Sequence, residues 1–157
     1  MNIHIINPDN GKPVTIDEWR KDKNPTRARI IAIDTDEGHT ILMNKEYLPG
    51  KYTWEEAQKA CEKFLPEELQ STGVIFRCPT RKESIDLYDA RFQGLDEAVA
   101  LIGGNFAQTY RAHWTCERDA NPRCGAYNAW CSYGADGYAG NNNLCNAFSA
   151  LPVALLK

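Results

Sequence analysis

Residues 114–156 read WTCERDANPRCGAYNAWCSYGADGYAGNNNLCNAFSALPVALL, and their composition differs from that of the chain before them. Lys, Glu, Gln and Met occur 25 times in residues 1–117 and do not occur in residues 118–156. At the earlier frequency about eight of them would be expected there, so the change in composition is real. Asn, Ala, Gly, Tyr, Ser and three of the six cysteines stand in their place. Such residues are typical either of turns between short strands or of an adaptable binding surface. Composition alone favours the first interpretation.

The whole chain has the length and composition of one soluble globular domain. It has 157 residues, of which 43% are apolar and 25% charged, with a net charge of −3. No basic run indicates nucleic-acid binding, and no apolar run approaches the roughly 18 residues that span a bilayer. The N-terminus, MNIHIINPDNGK, lacks the pattern of a signal peptide. We therefore expect a protein that is made and folded in a cytoplasm and does not insert into membranes.

The N-terminal half predicts strands at residues 2–6, 28–34 and 39–43, the last two forming a hairpin. Residues 12–26 are polar and are expected to form an irregular or edge segment that Trp19 anchors to the core. Two main helices follow. Each begins at a capping box in which a Thr side chain and a Glu three residues later cap each other's N–H groups. These pairs are Thr53 with Glu56 and Thr80 with Glu83.

The apolar residues of the second helix recur at helical spacing and are expected to face the core. They are Ile85, Tyr88 and Phe92. Helix signals end near residue 110, and strands are predicted at residues 113–116, 126–133 and 148–155. In the middle strand we expect Trp130 to point inward and Cys131 and Tyr133 outward. The fold class is therefore α+β, with helices in the middle of the chain and strands at both ends.

The six cysteines, at positions 61, 78, 116, 124, 131 and 145, include no Cys-x-x-Cys pair. The three histidines are scattered, so the sequence predicts no zinc site and no other metal or cofactor. In a cytoplasm the cysteines are expected to be thiols. Cys61 and Cys78 lie among apolar residues and are interpreted as small core residues.

Five segments together resemble one known protein family. Residues 54–57 (WEEA) open a helix, residues 76–83 (FRCPTRKE) resemble the family's R-L-P-T-x-x-E, and residues 114–117 (WTCE) resemble its W-[TS]-[SC]-[TE] strand. Residues 128–130 (NAW) and 150–153 (ALPV) resemble its A-W and R-P-V strands. The order and spacing of these segments are typical of the C-type lectin fold variable proteins of diversity-generating retroelements, found in gut bacteria and their phages. Leu151 stands where that family commonly has Arg.

The resemblance implies a C-type lectin fold with two main helices, antiparallel strands and a long irregular C-terminal region. It covers roughly residues 28–157, so residues 1–157 are taken as one domain. Residues 1–27 would be an N-terminal extension with an edge strand, and residues 114–157 the variable, ligand-presenting region. In this family, adenines in Asn-type template codons are randomised. The products include Asn, Tyr, Ser, Ala, Asp, Gly and Cys, but never Lys, Glu, Gln, Met or Trp. By that rule Trp130 belongs to the constant scaffold.

The resemblance therefore implies a binding protein rather than an enzyme, with a diversified surface between residues 124 and 147. The expected ligand-binding residues are Cys124, Gly125, Tyr127, Cys131, Tyr133, Asp136, Tyr138, Asn141, Asn142, Asn143, Cys145 and Ala147. Tyr side chains would anchor the ligand and Asn side chains would adapt to it. The expected partner is a protein or glycan receptor on a cell surface, bound by several copies in a homo-oligomer or tail fibre. The location would be a phage tail on the virion, or the cytoplasm.

Two alternatives share the same fold. A calcium-dependent carbohydrate-binding lectin needs clustered carboxylates, but residues 118–156 offer only Asp119 and Asp136. A formylglycine-generating enzyme needs a reactive cysteine and an Arg-Gly-Gly-Ser-Trp motif. Arg123 beside Cys124 is the single hint of thiol activation, and the motif does not occur. His113 is expected to be a packed, hydrogen-bonded residue rather than a general base.

Overall fold

The computed structural model describes residues 1–107, 111–119 and 128–156. The described chain is a mixed α/β protein with two antiparallel sheets. The strands are β1 (Asn2–Ile6), β2 (Pro13–Thr15), β3 (Ile30–Asp34), β4 (Thr40–Asn44), β5 (Ala112–Arg118), β6 (Asn128–Tyr133), β7 (Ala139–Asn143) and β8 (Val153–Leu156). The larger sheet has the order β2-β1-β3-β4-β8, and the smaller sheet has the order β5-β6-β7.

Four α-helices lie between and beside the sheets in the described part of the chain. They are α1 (Ile16–Trp19), α2 (Trp54–Lys63), α3 (Arg81–Ala90) and α4 (Asp96–Leu101). A π-helical turn at Arg91–Leu95 joins α3 to α4, and Gly94 adopts φ 120° there, which only glycine adopts readily. None of the described helices is long and apolar enough to cross a membrane.

Both predicted capping boxes are confirmed. The Glu83 N–H donates to Thr80 Oγ1 at 3.0 Å, and the Thr80 N–H donates to Glu83 Oε1 at 2.8 Å. The same carboxylate accepts two hydrogen bonds from the Arg77 guanidinium, at 2.7 and 2.8 Å. Burial alone would raise the pKa of the Glu83 carboxyl, but the bonds from Arg77 and Thr80 outweigh burial and lower it. Glu83 therefore stays ionised and fixes the start of α3 to the segment before it.

The larger sheet is buried on both faces, which explains the unbroken apolar run of β3. Isoleucines at positions 3, 5, 31, 33 and 41 face the residues of α3 and α4. The opposite face, including Ile30 and Leu42, is covered by Leu69 and Phe76. Trp19 is 4% exposed, as the sequence predicts. Leu151 is fully buried in the main core, so an apolar residue fits where the resembled family commonly has Arg.

The expected buried stripe of the second helix is wrong. Ile85 is 51% exposed and Phe92 69% exposed, whereas Ser84, Leu87 and Ala90 face inward. The physical reason is that α3 packs through polar contacts as well as apolar ones. Ser84 reaches a buried histidine, so the inward face carries polar residues and an apolar pattern alone misplaces it.

The C-terminal segment joins the two sheets. The Ser149 N–H donates to the Ala112 carbonyl at 2.9 Å, and the Ser149 carbonyl accepts from the Trp114 N–H at 3.1 Å. Four residues later, Val153 pairs with Met43 of β4 and also exchanges two 2.8 Å hydrogen bonds with Arg77. Arg77 and Val153 form an isolated antiparallel β-bridge. One short segment thus bonds to elements far apart in the chain.

We predict that Trp114→Ala lowers the free energy of unfolding by about 3–5 kcal/mol, because the indole is fully buried and its removal leaves a cavity. Ile85→Ala is the matched control, since 51% of that residue is exposed. It should change the free energy by less than about 0.5 kcal/mol. Urea melts of the two variants measure both effects, and equal losses would contradict the described core.

Candidate ligand-binding surface

The smaller sheet carries most of the described residues that the sequence assigns to ligand binding. Strand β7 lies in the C-terminal region that the resemblance implies to be irregular, and this expectation is wrong for Ala139–Asn143. These residues pair antiparallel with β6, with Trp130 opposite Asn141 and Asn128 opposite Asn143. Strand pairing uses backbone groups, so an Asn-rich segment of low β propensity can pair when a neighbouring strand is in place.

The predicted orientation of β6 is also wrong. Cys131 is fully buried and Trp130 half-buried, the reverse of the expectation. Cys131 lies opposite Trp114 of β5, so the two side chains share the inner face of the sheet. The Trp114 indole fills that part of the core, and a Cys side chain fits beside it where a second indole would not. A strand's alternation defines two faces but does not say which one is buried.

Trp130 instead forms part of the outer face of the sheet. The guanidinium carbon of Arg81, at the start of α3, lies 3.8 Å from the centroid of its ring, which is a close cation–π contact. Asn141 and Asn143 point to the same side and are exposed. The Asn141 amide donates to the Asp119 carboxylate at the end of β5. The result is a stacked Arg–Trp pair bordered by exposed amides.

The turn between β6 and β7 is attached to the π-helical turn that follows α3. Arg91 Nη1 donates to the carbonyls of Gly134 and Ala135, at 3.0 and 2.6 Å. Asp96 holds the same guanidinium with two hydrogen bonds of 2.9 and 3.1 Å. Arg91 therefore holds the turn through its backbone carbonyls rather than through its side chains.

The tip of this turn packs on an aromatic ring. A Cβ at Gly137 would lie 2.8 Å from Tyr88 Cδ1, and Gly137 has φ 74°, so a side chain is excluded there. The next residue, Tyr138, is 66% exposed, and its N–H donates to Asp136 Oδ1 at 3.0 Å. Tyr138 is thus presented to solvent from a well-defined backbone.

The structure divides the expected ligand-binding residues into four groups. The exposed ones are Asp136, Tyr138, Asn141, Asn143, Cys145 and Ala147. Tyr133 and Asn142 are half-buried. Cys131 is buried, and its assignment to a ligand-contacting surface is wrong. Cys124, Gly125 and Tyr127 lie outside the described residues.

Asn142 contributes to the inner side of the sheet rather than to the exposed face. Its Nδ2 donates to Cys131 Sγ at 3.1 Å. Burial raises the pKa of the Cys131 thiol, although the Asn142 hydrogen bond acts in the opposite direction. Alternation along β7 directs Asn142 to the opposite face from Asn141 and Asn143, and the hydrogen bond to Cys131 holds its amide there.

A cleft of about 490 Å³ lies beside the exposed residues, between the start of α2 and the turn that follows β7. It is lined by Thr53, Trp54, Glu55, Arg118, Leu144 and Cys145. The guanidinium of Arg118 lies 5.8 Å from the Trp54 ring. The sequence does not predict that Arg81, Arg91 and Trp54 lie beside residues 118–156, because they are distant from this segment in the chain.

His113 is a titratable residue that is almost completely shielded from water. It is 1% exposed, packs against the rings of Tyr47 and Phe106, and its Nε2 is 3.3 Å from Ser84 Oγ. Its Nδ1 has no hydrogen-bond partner among the described residues. Burial lowers its pKa from 6.5 to about 4. The expectation of a packed, hydrogen-bonded histidine is confirmed.

Within residues 1–107, 111–119 and 128–156, no group of three or more His, Cys, Asp or Glu side chains is arranged to hold a metal ion. No protein-family model and no curated protein matches this chain. Its function is therefore inferred from its own side chains and their positions.

We predict that stability falls as the pH is lowered from about 6.5 to about 4. Folded His113 has a pKa of about 4, so the unfolded chain binds a proton in this range that the folded chain does not. The contribution of His113 to the free energy of unfolding is fully present above the pKa of the unfolded chain. It is lost as the pH falls towards the pKa of His113 in the folded chain. Between pH 7 and pH 5 the loss should be about 2 kcal/mol in urea melts.

The matched variants for this effect are His113→Gln and His39→Gln. The first removes the titrating group and should flatten the pH dependence, whatever its effect on stability at pH 7. The second changes an exposed histidine and should preserve the wild-type dependence. The same loss between pH 7 and pH 5 in all three proteins would exclude His113 as the cause.

A second prediction concerns thiol reactivity in the folded protein. Cys145 is exposed, whereas Cys61, Cys78 and Cys131 are fully buried. A maleimide reagent should label Cys145 at least about tenfold faster than these three, which should react only on unfolding. Labelling followed by peptide mass spectrometry measures each rate, and rapid labelling of Cys131 would contradict the orientation of β6.

Proposed function

We propose that this protein is a non-enzymatic ligand-binding module with a C-type lectin fold whose C-terminal surface is diversified by a retroelement. The observation that carries the proposal is the loss of Lys, Glu, Gln and Met from residues 118–156. Six of the expected variable residues in that region are exposed, on the outer side of β7 and in the turns at its two ends. Adenine randomisation of Asn-type codons accounts for the residue types found there. Because these six side chains are exposed, replacing them would not disturb the core.

The physical design of the surface supports this function. Tyr138 offers a large aromatic contact with few rotatable bonds, and Asn141 and Asn143 offer both donors and acceptors. Their backbones are held by β6 pairing and by Arg91, so binding does not need to order a flexible loop. Trp130 under Arg81 supplies a constant platform beside them.

The partner proposed for this surface is a protein or glycan receptor on a cell surface. The exposed residues lie on strands and turns rather than in a deep pocket, which suits a macromolecular partner. A single shallow contact binds weakly, so several copies on a phage tail or in an oligomer would gain affinity through avidity.

The binding test is a triple variant, Tyr138→Ala with Asn141→Ala and Asn143→Ala. It removes three exposed side chains and leaves the Arg91 hydrogen bonds and the core intact, so we expect at least about tenfold weaker binding with a melting temperature changed by less than about 2 °C. Binding of the labelled protein to a panel of intact bacterial cells and to a glycan array gives the readout.

The matched control for binding is Ile75→Ala, which removes a 75% exposed side chain outside the variable region. It should bind as the wild type does. If the triple variant binds as well as the control, this surface is not the ligand site. If no surface in either panel is bound by the wild type, the proposed partner class is wrong.

The genetic part of the proposal has its own test. The gene should lie beside a reverse transcriptase gene and a near-identical copy of the segment that encodes residues 118–156. Differences between the two copies should fall at adenines of the template. If the DNA around the gene contains no such copy, diversification by a retroelement is refuted. The binding surface is tested separately, by the binding of the triple variant and its control.

A further inference from the structure

Two fully buried cysteines touch beneath the smaller sheet. Cys61 lies near the end of α2, and Cys78 lies between Arg77 and the capping box of α3. Their sulfur atoms are 3.5 Å apart, and both residues are 0% exposed. A disulfide has a sulfur–sulfur distance of about 2.05 Å, so a shift of less than about 1 Å by each sulfur would bring them into bonding range.

We propose that Cys61 and Cys78 form a modification site at which a disulfide is made when the chain folds in the presence of a small-molecule disulfide. One cysteine thiolate attacks the small disulfide, forms a mixed disulfide and releases one small thiol. The second cysteine thiolate then attacks the protein sulfur of the mixed disulfide and releases the other small thiol. Two protein thiols are oxidised and one small disulfide is reduced to two thiols, which take up the two protons.

The surroundings select this pair over the other described cysteines. Cys131 belongs to the same apolar cluster, but its sulfur accepts a hydrogen bond from the Asn142 amide. Cys145 is exposed and Cys116 half-buried, and neither has another described cysteine in sulfur–sulfur contact. Only Cys61 and Cys78 therefore already meet in the folded chain among the described residues.

Burial determines when the bond can form and how long it lasts. The contact with Cys61, together with burial, raises the pKa of the Cys78 thiol, so the folded pair reacts slowly. Oxidation takes place while the chain folds or transiently opens, and the finished disulfide is then shielded from reductants. It would close residues 62–77 into a loop and tie the end of α2 to the start of α3, beneath the variable surface.

The experiment refolds the full chain from urea in a glutathione redox buffer, blocks free thiols by alkylation and digests the protein with trypsin without reduction. Trypsin cuts after Lys59, Lys63, Arg77 and Arg81. We expect a cross-linked pair of peptides, residues 60–63 joined to residues 78–81. The oxidised protein should melt about 5–10 °C above the reduced protein, because the cross-link restricts the unfolded chain.

Two variants complete the test. Cys61→Ala should lack the cross-linked peptides and the rise in melting temperature, whereas Cys145→Ala should keep both. If Cys61→Ala does not fold, the peptide map of the wild type still shows whether Cys61 and Cys78 are joined. Recovery of residues 60–63 and 78–81 as separate alkylated peptides, or of Cys61 joined mainly to Cys116 or Cys131, would overturn the proposal.

Discussion

The backbone hydrogen bonds of residues 148–153 are the interaction on which the rest of the structure depends. Ser149 bonds to β5, while Val153 bonds both to β4 and to Arg77 just before α3. The segment therefore joins the two sheets and positions the start of α3. Peptide groups rather than side chains make these hydrogen bonds, so the bonds do not depend on which side chains stand beside them. This separation of backbone support from side-chain identity is what the proposed diversified surface requires.

Helix α3 transmits that support to the outer surface. Along its length and the turn after it, Arg81 stacks on Trp130, Ser84 contacts His113, and Arg91 holds the carbonyls of the β6–β7 turn. The Glu83 carboxylate, bonded to Arg77 and to the N–H of Thr80, fixes where the helix begins. Arg81, Ser84 and Arg91 all precede residue 118, so residues outside the segment of altered composition support the surface that this segment forms.

The errors of the sequence analysis fall where two choices were locally equivalent. Strand β6 has two alternating faces, and the larger side chain, Trp130, was assigned to the core. The core position was already taken by Trp114, which only the pairing of β5 with β6 reveals. In the same way Ile85 and Phe92 satisfy helical spacing, yet α3 packs through its other face because His113 and Arg77 lie there.

The sequence by itself determined the features whose causes lie within a few residues of each other. These are the two capping boxes and the β3–β4 hairpin. The change in composition at residue 118 is likewise a property of the sequence alone. Tertiary structure alone decided which face of β6 is buried, that Arg81 stacks on Trp130, and that Cys61 meets Cys78. The reason is physical: caps and hairpins use neighbouring backbone groups, whereas a buried face or a side-chain contact depends on which distant residue already fills the space.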